Sequence, residues 1–217
     1  MLKSLETKPV ILIGSGGHAS VLLDILLQQG VEILAVSSND DVIERSIFNG
    51  ITHIKGNDAI YQYSPKDVML VNGIGSMPNN QVRSNIHKTF TEQGYEFFTV
   101  VAQDAFVSNY ASLSQGCQVL SKAVIQAGVS IGEASIINTK ASVDHDCQLG
   151  FNTHVAPGAT LSGQVIAGDR VHIGTGANVI QCVEIGDDCV VGAGATLTRS
   201  IDANSIVYPA RNYITSR

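Results

Sequence analysis

The second half of the chain repeats one pattern of apolar and small residues every six positions. From Val107 to Leu197, fifteen of sixteen residues spaced by six are Val, Leu or Ile, and Ala167 is the exception. The residue two positions before each of them is small or β-branched. A period of six fits neither an α-helix nor an alternating strand, but it is typical of a parallel β-helix of hexapeptides. The pattern predicts about five coils of three hexads, with the aliphatic residues pointing inward.

A coil of three hexads places residues 18 positions apart directly above one another, at about 4.8 Å. His154 and His172 have this spacing, so we expect their rings to lie about 5 Å apart on one face. Such a pair can contact a ligand, can bind zinc if a partner chain supplies a third ligand, or can simply decorate the surface. Acidic residues are scarce beside either ring, and we expect no metal.

The repeat also allows predictions for its glycines, its cysteines and the C-terminal tail. We expect the glycines that follow inward aliphatic residues to serve turns with unusual dihedral angles. These are Gly132, Gly150, Gly168, Gly174, Gly186 and Gly192. Cys117, Cys147 and Cys189 occupy the small inward position, which favours structural thiols, whereas Cys182 lies outside it. Residues 201–217, where Pro209 breaks regular structure, are predicted to form a tail that runs back along the β-helix.

The first part of the chain has a different pattern, in which apolar runs alternate with helical periodicity. It predicts strands at Val10–Ile13, Ile33–Ser37, Val68–Val71 and Tyr95–Val101. Helices are predicted over Ser20–Leu27 and about 80–93, ending near Gly30 and Gly94. The chain is therefore predicted to contain a Rossmann-like α/β domain (1–101), a β-helix domain (102–200) and a C-terminal tail (201–217).

A glycine turn joins the first predicted strand to the first helix. Gly14, Gly16 and Ala19 satisfy the G-x-G-x-x-[G/A] pattern, in which phosphate binds backbone N–H groups at a helix N-terminus. The acid that such a site needs at the end of the second strand is replaced by Ser37-Ser38, with Asp40 and Asp41 slightly further along. A nicotinamide dinucleotide, another nucleotide-bearing ligand and a purely structural turn all remain open.

Composition and charge narrow the function classes. The chain has 217 residues, 44% hydrophobic and 15% charged, which is typical of a folded protein. Its net charge of −6 predicts no nucleic-acid partner. The apolar run at Val10–Ile13 is too short for a signal peptide or a membrane span, so we expect a cytoplasmic protein. The four cysteines have no metal-site or redox spacing and are predicted to be reduced.

His145 is the sharpest candidate for chemistry. It lies between Asp144 and Asp146 and two residues after the inward Val143, hence at an outward position. A neighbouring carboxylate orients an imidazole and raises its basicity, as a general base requires. The alternative is a solvated histidine in an acidic turn.

Several segments together resemble the bacterial sugar acyltransferases of the bacillosamine N-acetyltransferase and sialic-acid O-acetyltransferase type. They are Ile-Gly-Ser-Gly-Gly-His-Ala at 13–19, Asn-Thr-Lys-Ala-Ser-Val-Asp-His-Asp-Cys at 138–147, His-Val-Ala-Pro-Gly-Ala at 154–159, Leu-Ser-Gly at 161–163, His-Ile-Gly at 172–174 and Val-Gly-Ala-Gly-Ala at 191–195. The resemblance extends over essentially the whole chain. It implies a left-handed β-helix, a homotrimer and transfer of acetyl from acetyl-CoA to a nucleotide-linked amino sugar, with no metal required.

The resemblance also implies roles for individual residues. His145 matches the family's general base and Asp146 the acid that raises its basicity. Positions that contact acetyl-CoA between subunits match His154, Gly163, Thr175 and Ala193. The sugar-nucleotide turn matches Gly16, Gly17 and His18, with Ser37, Ser38, Gly75 and Ser76 also assigned to substrate binding.

Two departures from the family pattern matter. Relatives that use UDP-sugars have paired aspartates where this chain has Ser37-Ser38, which leaves the nucleotide of the acceptor open. The usual Gly-Val-Pro-Ala tail reads Val-Tyr-Pro-Ala at 207–210, which puts a bulkier side chain near the expected coenzyme site. The first hypothesis is N-acetylation of a nucleotide-linked 4-amino-4,6-dideoxy sugar for surface glycans. The alternatives are O-acetylation of a sialic-acid-like sugar, a metal-dependent hydrolyase and a non-catalytic nucleotide-sugar-binding scaffold.

Overall fold

The computed structural model describes residues 8–40 and 45–210, which form two compact units. The first unit comprises residues 8–40, 45–103 and 114–118, and the second comprises residues 104–113 and 119–210. The remaining parts of the predicted α/β domain and tail, including Asp41, lie outside the described residues.

A four-stranded parallel sheet forms the centre of the first unit, in the order β3-β2-β1-β4. The strands are β1 (Val10–Ile13), β2 (Ile33–Ser38), β3 (His53–Lys55) and β4 (Met69–Asn72). The helices are α1 (Gly17–Gln28) and α2 (Val82–Glu92), with shorter 3₁₀ turns at Ser46–Phe48 and Asn57–Gln62. This strand order is that of half a doubly wound fold, which confirms the predicted α/β class.

Two strands of the first unit differ from prediction. The His53–Lys55 strand was not predicted, because Ile54 is its one buried apolar residue and three residues are too short for a pattern. The predicted Tyr95–Val101 strand is reduced to β5 (Val100–Val101), and Phe97 forms only an isolated bridge to Leu70.

The second unit is a left-handed parallel β-helix, as predicted. Two-residue strands follow one another along it: β6 (Phe106–Val107), β7 (Ser112–Leu113), β8 (Gln118–Val119), β9 (Val124–Ile125), β10 (Ser130–Ile131), β11 (Ile136–Ile137), β12 (Ser142–Val143), β13 (Gln148–Leu149), β14 (His154–Val155), β15 (Thr160–Leu161), β16 (Ile166–Ala167), β17 (His172–Ile173), β18 (Asn178–Val179), β19 (Glu184–Ile185), β20 (Val190–Val191), β21 (Thr196–Leu197) and β22 (Ile206–Val207). Three faces contain β6-β9-β12-β15-β18-β21, β7-β10-β13-β16-β19 and β11-β14-β17-β20-β22.

Pairing along the faces joins residues 18 apart, such as Ser142 with Thr160. The inward aliphatic residues from Val119 to Leu197 are at most 4% exposed. Their side chains stack from coil to coil and supply the apolar burial that stabilises the β-helix. Cys117, Cys147 and Cys189 are buried, as their inward position predicted, and Cys182 is exposed.

The turns follow the same period, but the glycine prediction was wrong. Every sixth residue from Lys122 to Gly194 has a left-handed φ, and these positions hold Lys, Ala, Asp, Asn, Gln, Arg and Cys as well as Gly. The glycines that follow inward aliphatic residues do not adopt this conformation. They are needed for close approach instead: a Cβ on Gly150 would lie 2.6 Å from the carbonyl carbon of Gly168 in the next coil.

The predicted tail also differs from the structure. Ile201 forms a parallel bridge with Ile185, and Ile206–Val207 pairs in parallel with Val190–Val191. Residues 201–207 therefore continue the β-helix rather than run back along it. The register is 16 residues instead of 18, because the step from Leu197 to Ile201 is four residues and the spacing of six then resumes at Val207.

Candidate active site

His145 and Asp146 form an exposed dyad at a turn of the β-helix, directly after β12. The Nδ1 atom of His145 lies 2.8 Å from Oδ2 of Asp146, and both side chains are more than half exposed. Asp146 occupies the left-handed turn position, with φ of 59°. The carboxylate accepts a hydrogen bond from Nδ1–H, so in the neutral ring Nε2 carries the free lone pair.

Electrostatics makes this ring more basic than an ordinary histidine. The hydrogen bond to Asp146 raises the pKa of His145 above its usual value, and the negative charge of Asp144 acts in the same direction. The Asp144 side chain does not bond the ring; its Oδ1 accepts a hydrogen bond from the backbone N–H of His145 at 2.7 Å. The pair therefore has the geometry and the charge of a general base with its orienting acid.

Gly163, another predicted site residue, lies one coil after His145 on the same edge of the β-helix. The backbones of the two coils are joined there, since Gln164 N–H donates to the His145 carbonyl at 2.9 Å. Cys182 N–H continues the series by donating to the Gly163 carbonyl at 3.1 Å.

His154 lies on a face of the β-helix and is 7% exposed. Its Nε2 is 3.0 Å from the Asn138 side-chain nitrogen, and Asn138 Oδ1 accepts the N–H of Thr139 at 2.8 Å. Because the oxygen of this amide is already used, its NH₂ group faces the ring and donates to Nε2.

The predicted stacking of His154 on His172 is confirmed. The two residues are register partners, and their ring centroids lie 4.9 Å apart at an angle of 76°. Burial lowers the pKa of His172, which favours its neutral form. The two rings thus form a continuous patch along two coils.

Thr175 and Ala193 lie on a different edge of the β-helix from His145. Both are exposed, and Gly194 N–H donates to the Thr175 carbonyl at 2.9 Å, which places the two residues on successive coils. The Gly176 N–H donates to the Pro157 carbonyl at 3.0 Å, so Pro157 lies on the same edge, one coil before Thr175. Pro157 is six residues before Gly163 along the chain. Within one chain, the predicted coenzyme residues are thus divided between two edges and one face.

In the first unit, the ends of β1 and β2 open into a cavity of about 290 Å³. Its lining includes the predicted residues Gly16, Ser37 and Ser38, together with Asp40 and Asn57. No heavy atom outside its chain neighbours lies within 4 Å of a Cβ built on Gly16, so the approach to this turn is open. A cavity at the carboxyl ends of parallel strands is the usual ligand position in this fold class.

Both serines in the cavity have hydrogen-bond partners. Ser37 donates to the Gly56 carbonyl at 3.1 Å, and Ser38 Oγ lies 3.0 Å from His53 Nε2. Asp40 also lines this cavity, and its carboxylate accepts a hydrogen bond from the Ser15 hydroxyl. Sequence reasoning noted Asp40 but did not assign it, and it missed Asn57, which no motif identified.

His18, at the first turn of α1, begins a buried polar network. Its Nε2 lies 2.7 Å from Gln118 Oε1, and Gln118 Nε2 donates to the Asn72 carbonyl at 2.8 Å. Arg83 donates to the same carbonyl at 2.8 Å. Burial, reinforced by the positive charge of Arg83, lowers the pKa of His18 to about 4.

The remaining predicted residues of this unit lie around the same turn. A Cβ on Gly75 would contact the Cβ of His18 at 3.7 Å, and one on Gly17 would lie 3.9 Å from an Arg45 side-chain nitrogen. Ser76 is half-buried beside Gly75. Gln118 was missed, because it is 100 residues from its partner His18 and only folding brings the two together.

Within residues 8–40 and 45–210, no helix is long and apolar enough to cross a membrane. Nor do three or more His, Cys, Asp or Glu side chains come together there in a way that could hold a metal ion.

Comparison with family models identifies two matching regions. Residues 9–90 match the PglD N-terminal domain, and residues 168–199 match the bacterial transferase hexapeptide model of six repeats. The two matches fall in the first and second structural units, respectively.

Individual relatives match over most of the chain. GDP-perosamine N-acetyltransferase of Escherichia coli O157:H7 is 27% identical over 158 residues, covering 70% of this chain and 69% of that protein. The crystal structure of PerB from Caulobacter crescentus with CoA and GDP-perosamine has a TM-score of 0.83 and 31% identity, covering 91% of this chain and 92% of that one. The acetyltransferase domain of PglB from Neisseria gonorrhoeae with acetyl coenzyme A has a TM-score of 0.83 and 32% identity, covering 95% and 100%.

Proposed function

Because this chain belongs to the bacterial sugar N-acyltransferases with a PglD-type N-terminal domain and hexapeptide repeats, we propose that it is an acetyl-CoA-dependent sugar N-acetyltransferase. The acceptor that we propose is the 4-amino group of a nucleotide-linked 4-amino-4,6-dideoxy sugar used in surface glycans. The relatives with GDP-perosamine in their names or crystals favour N-acetylation over the alternative O-acetylation of a sialic-acid-like sugar.

One observation carries the proposal at the level of chemistry. The Nε2 atom of His145 is the free position of an exposed imidazole whose other nitrogen is held by Asp146 at 2.8 Å. An ammonium must lose a proton before its nitrogen can attack a thioester. A base of raised pKa with an accessible lone pair can accept that proton near neutral pH.

The reaction then follows from the chemistry of amine and thioester. The sugar ammonium gives one proton to His145 Nε2, which releases it to solvent, and the resulting amine attacks the acetyl carbonyl carbon. The new C–N bond forms, and the surplus N–H proton of the attacking nitrogen passes to the same Nε2 atom. The carbon–sulfur bond breaks, and the CoA sulfur leaves with the electron pair and receives a proton from the imidazolium. Asp146 stabilises the imidazolium during this interval and keeps its orientation.

We assign acetyl-CoA binding to His154, Gly163, Thr175 and Ala193, and we propose a homotrimer in which neighbouring chains share each site. The distribution of these residues supports this assembly. Thr175 and Ala193 lie on one edge of the β-helix, and His145 lies on another. Six residues of a coil separate the two edges, which corresponds to at most about 20 Å at about 3.3 Å per extended residue. A second chain can bring the two edges together across an interface.

We assign the nucleotide sugar to residues 1–101 and acetyl transfer to residues 102–200. The open turn at Gly16 and Gly17 would receive the phosphates at the N-terminus of α1. His18, Ser37, Ser38, Gly75 and Ser76 complete the proposed substrate residues. The four free thiols fit a reducing compartment, and we propose that the enzyme acts in the cytoplasm.

The test is acetyl transfer from acetyl-CoA with a panel of GDP-, UDP- and dTDP-linked 4-amino-4,6-dideoxy sugars and free sialic acid. CoA and acetylated product should be measured by chromatography, because the exposed Cys182 would react with thiol reagents. We expect rapid turnover with one amino sugar and a loss of about 10²-fold or more in kcat for His145→Asn. Asp104→Asn, which removes an exposed carboxylate paired with Ser121 elsewhere on the β-helix, is the control and should retain activity.

Each outcome decides between the alternatives. Turnover only with sialic acid would replace N-acetylation by O-acetylation. Full activity in His145→Asn would show that another group is the base. Binding of acetyl-CoA and nucleotide sugar without transfer would support a scaffold and contradict the enzyme assignment.

A further inference from the structure

Two glycines from neighbouring coils flank the His145–Asp146 dyad, and we propose that Gly128 and Gly163 are positioning residues that hold the dyad in its reactive arrangement. Gly163 borders the imidazole, and Gly128 borders the carboxylate. The catalytic meaning of this arrangement rests on the proposed function, in which His145 is the base. The geometric part does not.

The imidazole of His145 occupies the space that a side chain at position 163 would need. A Cβ built on Gly163 would lie 2.5 Å from Cε1 and 3.0 Å from Cδ2 of the ring, with Nε2 closer still. Such distances are shorter than any van der Waals contact of these atoms. Alanine at this position therefore cannot coexist with the observed ring position.

The ring must move, because the coils themselves are fixed. The Gln164 N–H donates to the His145 carbonyl at 2.9 Å, and the Asp146 N–H donates to the Ala127 carbonyl at 3.0 Å. These bonds join the turn that carries the dyad to the coils on both sides. Because more than half of the His145 side chain is exposed, the imidazole can swing into solvent, and it then loses its 2.8 Å contact with Asp146.

Gly128 has the corresponding relation to Asp146. A Cβ on Gly128 would contact Oδ1 of Asp146 most closely and would lie 3.3 Å from its Cγ. Gly128 also has a φ of 77°, so the turn itself favours glycine or asparagine there. The dyad is thus flanked by a glycine on each side along the stack of coils.

Gly163 differs from the glycines that serve the fold. Its backbone does not adopt a left-handed φ, so alanine would cause no strain of that kind. The group that an alanine would displace is an exposed side chain. At Gly150, in contrast, an added Cβ would lie 2.6 Å from the backbone carbon and oxygen of Gly168, which cannot swing away. Stability therefore requires glycine at 150, whereas at 163 the requirement comes from the dyad.

The first measurement is the pKa of His145 in the full-length protein, from NMR titration of the ring Cε1–H signal assigned by its loss in His145→Asn. We expect the pKa to fall in Gly163→Ala, because the ring leaves Asp146, and to fall in the same direction in Asp146→Asn. Gly150→Ala is the matched control, and it should lower thermal stability without changing the pKa of His145. If Gly163→Ala does not fold, Gly128→Asn tests the same idea, since asparagine tolerates the left-handed φ.

The second measurement separates positioning from coenzyme binding. For Gly163→Ala we expect kcat at saturating acetyl-CoA to fall about tenfold or more, which the loss of a coenzyme contact alone would not cause. An unchanged pKa with a raised KM would overturn the positioning role and leave only a coenzyme contact. A lowered pKa in a protein whose wild type transfers no acetyl group would support the positioning geometry and overturn the proposed function.

Discussion

Acidification should destabilise the first unit through His18. The ring donates its Nε2 proton to Gln118 Oε1, because the Gln118 amide nitrogen is already directed at the Asn72 carbonyl. Burial and the charge of Arg83 lower the pKa of His18 to about 4 in the folded protein. In the unfolded chain the pKa is about 6.5.

The sign and size follow from proton linkage. Because the pKa of His18 is lower in the folded protein, the neutral ring contributes to the free energy of unfolding fully above about pH 6.5. This contribution is lost as the pH falls toward 4. At pH 5 the unfolded ring is mostly protonated and the folded ring mostly neutral. With about 1.4 kcal/mol per pH unit over about 1.5 units, the free energy of unfolding should fall by about 2 kcal/mol.

Hydrogen exchange of a peptide covering Val10–Ile13 is the assay, because β1 is the buried centre of this unit and reports its opening. The free energy of opening is measured at pH 7 and at pH 5 and corrected for intrinsic exchange rates. Its decrease between the two pH values should be about 2 kcal/mol larger in the wild type than in His18→Gln. His172→Asn is the control for the other histidine of lowered pKa, and it should leave the pH dependence of this peptide unchanged. An equal pH dependence in His18→Gln and the wild type would refute the reasoning.

Three further predictions concern the β-helix. Asp146→Asn should lower kcat by about 10- to 100-fold at pH 7. It should also shift the acidic limb of the pH–rate profile to lower pH, because the hydrogen bond to Asp146 is the main cause of the raised pKa of His145. Asp144→Asn should shift this limb less, because the Asp144 side chain bonds the backbone N–H of His145 and not its ring. Ile173→Ala should reduce the free energy of unfolding by about 2–5 kcal/mol in urea titrations, since its side chain is fully buried, and a loss below about 1 kcal/mol would contradict this packing. Gly150→Ala should cost about 1–3 kcal/mol in the same assay through its backbone clash, and an unchanged midpoint would mean that the coils can separate.

The features that sequence predicted correctly share one physical basis, which is a short repeat. A spacing of six from Val107 to Leu197 sets which residues point inward, and a coil of 18 residues sets which residues stack. The position of His172 above His154 followed from that arithmetic, as did the burial of Cys117, Cys147 and Cys189. In the first unit, apolar runs that alternate with helical periodicity predicted the α/β class.

Sequence determined less where several arrangements satisfy the same local pattern. Glycine at 150 was predicted to serve a dihedral angle and instead permits close approach of backbones, because the left-handed turns of this fold accept ordinary residues such as Lys122 and Arg170. The continuation of the β-helix through Ile201 and Val207 was hidden by a step of four residues, although the spacing of six resumes there.

Tertiary structure alone decided the contacts between residues distant in sequence. Gln118 contacts His18 across 100 positions, and the ring of His145 occupies the space that a side chain on Gly163, one coil away, would need. Local periodicity sets which face a residue occupies, because that depends only on the geometry of one coil. The neighbour that a side chain contacts depends on where the coils and strands are finally packed, and no spacing within a single hexad contains that information.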